Sequence, residues 1–446
     1  MSRWVRHIIP LVCVVWAAAC ATQAQVMEPA VPRTESAVAL TTPGTNTSTP
    51  QLGWGGRNEE EPEPLRSTSP PVVSEPAFPQ PLDQLGPFYS ALGALSDQSR
   101  KRSVRVMWMG DSHTAADFMT DEVRQALQRS SLAGGPGFVR LGMAGYRHGE
   151  VRVTVAGRWR TVPILPAQRT RVLDGVFGYG GVRTVPYSGA SVRVKASNKY
   201  TGNLRWTLVY RLPPQSALAV GIGQSSEVLK PNSSAADANG VLHHTVTVPV
   251  DQELVVRHHA GSPEVFGVFA ETEVPGLVFD TVGINGARAA TALAWEPQQF
   301  IEAVRDRQID LLVLAYGTNE IFDQGDPSRY QEHIEEVVER VRTAVPGVPC
   351  WIVGPPDAAT DDGRSRIRVP EVTLAHEKAA LSLGCAFTSS FSLMGGEQSF
   401  ARWMSARPPL ARADHIHLTI MGYKELGQRL AQQLLGEVGA VGPSGG

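Results

Sequence analysis

Hydrophobic and polar positions follow two different rhythms along the chain. "VRVMWMG", at 104–110, is a nearly unbroken apolar run, the pattern of a strand buried on both faces of a parallel sheet. "DFMTDEVRQALQR" follows it and places Met119, Val123, Ala126 and Leu127 on one helical face. From about 150 to 275 the period becomes two. In "LRWTLVYRL", Leu204, Trp206, Leu208, Tyr210 and Leu212 alternate with Arg205, Thr207, Val209 and Arg211. "SVRVKAS", "ALAVGIG", "HTVTVPV" and "ELVVRHH" repeat the alternation, separated by Gly, Pro, Asn and Ser, and no helix-length pattern intrudes. That predicts an all-β sandwich or barrel.

Near 277 the first rhythm returns. "LVFDTVG", "IDLLVLAYG", "VPCWIVG" and "CAFTSS" read as buried strands. Between and after them, "YQEHIEEVVERVRTAV" places Ile334, Val337, Val338 and Val341 on one helical face, "EVTLAHEKAALSLG" reads as another helix, and "MGYKELGQRLAQQLL" closes with Tyr423, Leu426, Leu430 and Leu434 buried. Strands alternating with helices predict an α/β fold, a doubly wound five-stranded parallel sheet, interrupted after its first strand by an inserted all-β sandwich. The expected divisions are 85–150 with 277–436 for the α/β domain, 151–276 for the insert, and 437–446 as a flexible tail.

Two stretches fall outside these rhythms. Arg3 and Arg6 precede "IIPLVCVVWAAAC", an apolar run too short for a spanning helix, so 1–24 is expected to be an export signal. "AAAC" resembles a bacterial lipobox with Ala17 where Leu is usual, so lipidation of Cys20 and plain secretion both stay open. Residues 25–84 are rich in Pro, Ser, Thr and Glu, and predict a disordered tether. The expected location is outside the cytoplasm: periplasmic or lipid-anchored in the cell envelope, or secreted.

Over 446 residues, 42% are hydrophobic and 19% charged, with a net charge of −2, which suits a globular core and offers no basic block for nucleic acid. A membrane is expected as a partner only through a lipid anchor. Beyond the signal, Cys350 and Cys385 are the remaining cysteines; each falls near a core strand, and buried free thiols are expected, pairing being the alternative. The pairs His243–His244 and His258–His259 raise a metal site, but neighbours on a strand point to opposite faces, so solvated or packed histidines are expected. "LAGGPGFVRLGMAGYRHG" lacks phosphate-loop spacing and reads as a flexible rim.

Candidate chemistry sits where strands end. A serine nucleophile needs a base, a group that orients the base, and donors for an oxyanion. Ser112 follows the first strand, Asn285 and Gly286 the second, and Asn319 the third; Asp414 and His417 precede the last helix. In a parallel sheet those ends share one edge. Taken together, "GDSH", "GINGA", "GTNE" and "DHIH" resemble the four blocks of the SGNH, or GDSL-type, hydrolases. The resemblance implies Ser112 as nucleophile, His417 as base and Asp414 as its orienting acid. It implies an oxyanion hole from the Ser112 and Gly286 N–H groups and the Asn319 amide. Glu320 stands where that family usually has Asp. Asp111, His113 and His415 are expected to shape the site.

The long β-rich interval after "GDSHT" also resembles peptidoglycan O-acetylesterases, which carry a carbohydrate-binding-like insert. With the export signal, these resemblances imply an exported serine esterase removing acetyl groups from peptidoglycan or another polysaccharide, without metal or cofactor. A lipase or lysophospholipase-like carboxylesterase, a non-catalytic carbohydrate-binding surface protein, and acyl transfer are the alternatives. Trp206 and Tyr210 are expected in the insert's core, and exposed aromatics for sugar stacking in "DGVFGYGG".

Overall fold

The apolar runs become strands, and their side chains divide between two cores. In this computed structural model, which describes residues 83–130, 132–164, 174–232 and 234–436, sixteen strands follow one another. β1 (Val104–Gly110) leads, followed by β2 (Gly137–Val139), β3 (Val151–Ala156), β4 (Trp159–Pro163), β5 (Val182–Pro186) and β6 (Ser191–Ala196). Then come β7 (Asn203–Arg211), β8 (Ala217–Ile222), β9 (Ser225–Leu229), β10 (Val241–Pro249), β11 (Leu254–Ala260) and β12 (Glu264–Thr272). The last four are β13 (Leu277–Gly283), β14 (Leu311–Ala315), β15 (Cys350–Gly354) and β16 (Ala386–Ser389). The expected export signal, the tether up to residue 82 and the tail at 437–446 lie outside the described residues. No described helix is long and apolar enough to cross a membrane.

β1 joins β13–β16 in one parallel sheet, ordered β13-β1-β14-β15-β16. Period two explains the continuous apolar run of β1. Val104, Val106 and Trp108 face a core with Tyr423, Leu426 and Leu430 of the last helix (Ile420–Leu435). Met107 and Met109 face the opposite core, with Ile334, Val337 and Val341 of the Ser328–Ala344 helix. Both faces are covered, as a doubly wound sheet requires. The five-stranded α/β fold is that expected from sequence.

The insert is a sandwich of two antiparallel sheets, β3-β6-β11-β8-β9 and β10-β7-β12-β5-β4, with β2 also paired to β12. Its core holds Trp206, Leu208 and Tyr210 against Val194, Val220 and Val256. β2 lies before the expected boundary at 151. It pairs Val139 with Val268, while the Phe138 N–H donates to Asp280 Oδ1 on β13 at 2.8 Å. It therefore joins the two parts, and the glycine-rich stretch expected to be a rim is partly a buried strand.

Two further expectations are corrected. Cys350 and Cys385 are bonded to each other. β15 and β16 run side by side in a register that pairs Trp351 with Ala386, so the two preceding cysteines are neighbours, with Cα atoms 4.8 Å apart. Phe177 and Tyr179 of "DGVFGYGG" are buried, not displayed, because they pack against Val282, Trp295 and Phe138 beneath the insert.

Breaking the bridge with the pair Cys350→Ala and Cys385→Ala should cost about 2–4 kcal/mol of stability, read from urea unfolding. A second prediction concerns His376, on the helix Arg368–Leu383. It is fully buried with both ring nitrogens unpartnered, and burial pushes it down to about 4 from 6.5. As pH falls through that interval the unfolded chain takes up a proton that the folded chain refuses, so stability falls, by about 3 kcal/mol once pH is below both values. His376→Leu should flatten this part of a melting-temperature profile against pH.

Candidate active site

The site begins at the carboxyl end of β1. Gly110 is required by crowding: a Cβ there would lie 2.6 Å from the Ala315 carbonyl oxygen and 2.1 Å from Thr114 Oγ1. Asp111 then caps the short helix Ser112–Ala115, its carboxylate accepting the His113 N–H at 2.9 Å. Asp111 is buried, which pushes its carboxyl up to about 6. Ser112 is thus the first residue of the helix, pointed to the sheet edge by a strand, a glycine turn and a buried cap.

The loop before the last helix closes on itself: Ala411 bridges to Leu418, and the Arg412 N–H donates to the His417 carbonyl at 2.8 Å. This presents His417 to the serine. Ser112 Oγ lies 3.0 Å from His417 Nε2, and His417 Nδ1 lies 3.0 Å from Asp414 Oδ2. The other Asp414 oxygen accepts the Ile416 and His417 N–H groups at 3.0 and 2.8 Å. Partial burial raises the Asp414 carboxyl, but these hydrogen bonds outweigh it and hold the pKa below the ordinary value.

The other two strand-end loops meet beside the serine. Gly286, with a φ of +76°, is exposed after β13. Asn319 follows β14, and its Nδ2 donates to the Ala287 carbonyl at 2.9 Å, binding one loop to the other. An amide nitrogen carries two protons, so one N–H remains for a ligand. Glu320 makes a second link. Its buried carboxylate accepts the Ala289 N–H at 2.9 Å and the Gly317 N–H at 3.1 Å, and burial pushes it up to about 7. Arg288 adds a third, donating to the Asn319 carbonyl at 3.2 Å while paired with Asp323 at 2.6 Å.

The structure brings Ser112, Gly286, Asn319 and His417 together in one cleft of about 900 Å³, with Asp414 directly behind His417. The neighbouring histidines have other positions. The His113 ring is buried 5.5 Å from that of His417, with both nitrogens unpartnered, and burial pushes it down to about 3. It is a neutral packing surface at ordinary pH. His415 takes a left-handed φ of +63° at the tip of the turn. Arg147, Arg412 and Phe322 also line the cleft and were not singled out from sequence. Arg147 is carried there by the glycine-rich segment and lies 3.7 Å over the Phe118 ring.

This geometry has relatives. A family model described as GDSL-like lipase/acylhydrolase matches residues 262–425, spanning Gly286, Asn319, Asp414 and His417. A solved peptidoglycan O-acetylesterase superimposes with a TM-score of 0.66 at 25% identity, over 80% of this chain and 97% of its own. The chain is a serine ester hydrolase of SGNH-like fold, similar to the GDSL-type acylhydrolases. Two other solved structures match this hydrolase at lower TM-scores. A lipase/acylhydrolase from Enterococcus faecalis gives 0.28 at 15% identity, over 36% of this chain and 77% of its own. A salicylyl-acyltransferase from a tetracycline biosynthetic pathway gives 0.31 at 14% identity, over 66% and 96%. No curated protein matches the chain.

Ser112→Ala should abolish hydrolysis of para-nitrophenyl acetate by this hydrolase. Asn319→Ala should lower kcat about 10²–10³-fold with little change in KM, the mark of a donor used mainly in the transition state.

Proposed function

We propose that this hydrolase is an exported carbohydrate O-acetylesterase acting on peptidoglycan or another envelope polysaccharide. The observation that carries the reading is the hydrogen-bonded chain Ser112–His417–Asp414 opening into a cleft that also presents Gly286 and Asn319. The likeness to the peptidoglycan O-acetylesterase supports it, since it extends over nearly all of that chain. Export is supported by the arginine-led apolar segment near residue 1 and by the Cys350–Cys385 bond, a linkage typical of oxidising compartments.

Ser112 Oγ attacks the acetyl carbonyl carbon as its proton passes to His417 Nε2. Asp414 accepts the Nδ1–H and stabilises the imidazolium that forms. The Ser112 and Gly286 N–H groups and the free Asn319 N–H receive the negative charge on the carbonyl oxygen. Collapse breaks the ester C–O bond, and His417 returns the proton to the departing sugar hydroxyl. Water, deprotonated by the same imidazole, then cleaves the acetyl-serine. Acetate leaves and Ser112 recovers its proton.

The lipase reading has less support, because Arg147, Arg288 and Arg412 interrupt the apolar Phe118, Phe322 and Ile416 along the cleft, where a long acyl chain would need a continuous apolar groove. Acetate release from O-acetylated peptidoglycan and from acetylated xylan, comparing wild type with Ser112→Ala, tests the proposal. Serine-dependent release from either polymer is expected. Release from neither, with serine-dependent cleavage of longer-chain esters, overturns it in favour of a lipid substrate.

A further inference from the structure

A second cavity, of about 260 Å³, lies between the outer face of β7 and β10 and the helix Pro297–Arg307. Period two explains its polarity. Trp206 and Leu208 point into the sandwich core, so Arg205, Thr207, His243 and Thr245 emerge on the other face. The helix answers with Gln299, Ala303 and Asp306, spaced four and three residues apart on one side. None of the residues lining this cavity lines the catalytic cleft.

Its polar groups are poised but only partly used. Gln299 is 2% exposed, yet its Oε1 has no hydrogen-bond partner, a situation that buried polar atoms rarely tolerate. The side chains of Arg205 and Asp306 enter no hydrogen bond or ion pair with a described residue. The Thr207 and Thr245 hydroxyls meet at 2.9 Å, which leaves lone pairs free on both. Val209, Val241 and Ala303 add an apolar side.

The charges select the ligand. An anion would meet Asp237, Glu271 and Asp306, and a cation would meet Arg105, Arg205 and Arg307. A lipid tail would strand all of them without water. What remains is a neutral molecule with several hydroxyls and one C–H face. The volume, just under the ~300 Å³ at which ordinary ligand pockets begin, fits one ring and not a chain. We propose that this cavity is a non-catalytic subsite for a single neutral pyranose unit of a glycan. The proposal rests on the polysaccharide reading above. It makes the insert a second grip on the polymer, away from the ester being cleaved.

The test uses the full chain carrying Ser112→Ala, with labelled valine and alanine methyl groups, titrated with N-acetylglucosamine and followed by NMR. The methyls of Val209, Val241 and Ala303 should shift saturably. Arg205→Ala, on the surface, and Gln299→Leu, in the interior, should each raise Kd about five-fold or more, as loss of one hydrogen bond would. No shift at tens of millimolar sugar overturns the proposal, as do shifts that neither variant weakens. Tighter binding of acetate or glycylglycine at these methyls also overturns it, since the site would then select charge. Sugar binding is read without turnover, so its failure is separate from a failure of acetate release.

Discussion

Arg307 joins the catalytic sheet to the domain inserted into it. Its guanidinium reaches Asp280 on β13 at 2.6 and 2.9 Å and also contacts Glu271 on β12, which Arg105 of β1 holds at 2.8 and 3.0 Å. Asp280 is fully buried and also accepts from Tyr179 Oη at 3.0 Å and from the Phe138 N–H. Burial works against ionised Glu271, yet the two arginines hold its pKa down to about 2. Such a group is costly to bury and far costlier to leave half-paired. Insert and sheet are therefore fixed to each other by charges that have no other means of compensation. Arg140 extends the link along the same strand, donating to the carbonyls of Gly283 and Gly180 at 2.7 Å each. Gly286 follows three residues later.

The cleft depends on that fixed strand end. A parallel sheet supplies convergence without fine placement: it brings β1, β13 and β14 to one edge but leaves each loop free to wander. Placement comes from hydrogen bonds between the loops. Asn319 holds Ala287, Glu320 holds both Ala289 and Gly317, and Arg288 holds the Asn319 carbonyl. Glu320 is one methylene longer than the usual Asp and uses its length to span two loops. On the mechanism proposed above, these links preorganise the donors before any substrate charge develops.

Much of this was legible because strand ends carry their own marks. The apolar run of β1 stops at Gly110, and the chemistry begins two residues later. The alternation through β7 identified Trp206 and Tyr210 as core. What escaped was whatever depends on register or on partners distant in sequence. The thiols of Cys350 and Cys385 looked like separate core residues until β15 and β16 were aligned. The Pro297–Arg307 helix was missed because its buried face is short, Gln299, Phe300, Val304 and Arg307, and two of those four residues are polar. Phe177 and Tyr179 sit among the four glycines of "DGVFGYGG", a strong turn signal, yet tertiary packing draws them inward. Arg147 and Arg412 had no local signature at all.

β2 bears on how such a fold can be taken apart. Its three residues precede the stretch whose alternation announces the insert, yet they pair with β12 and hydrogen-bond to β13. A cut at the visible change of rhythm would remove β12, leave β2 without that neighbour, and strip Arg307 and Arg105 of Glu271. The sandwich is thus not a cassette. Its seam with the hydrolase is woven from both sides, and a graft between relatives would need to carry β2, β12 and the Arg307 helix as one piece.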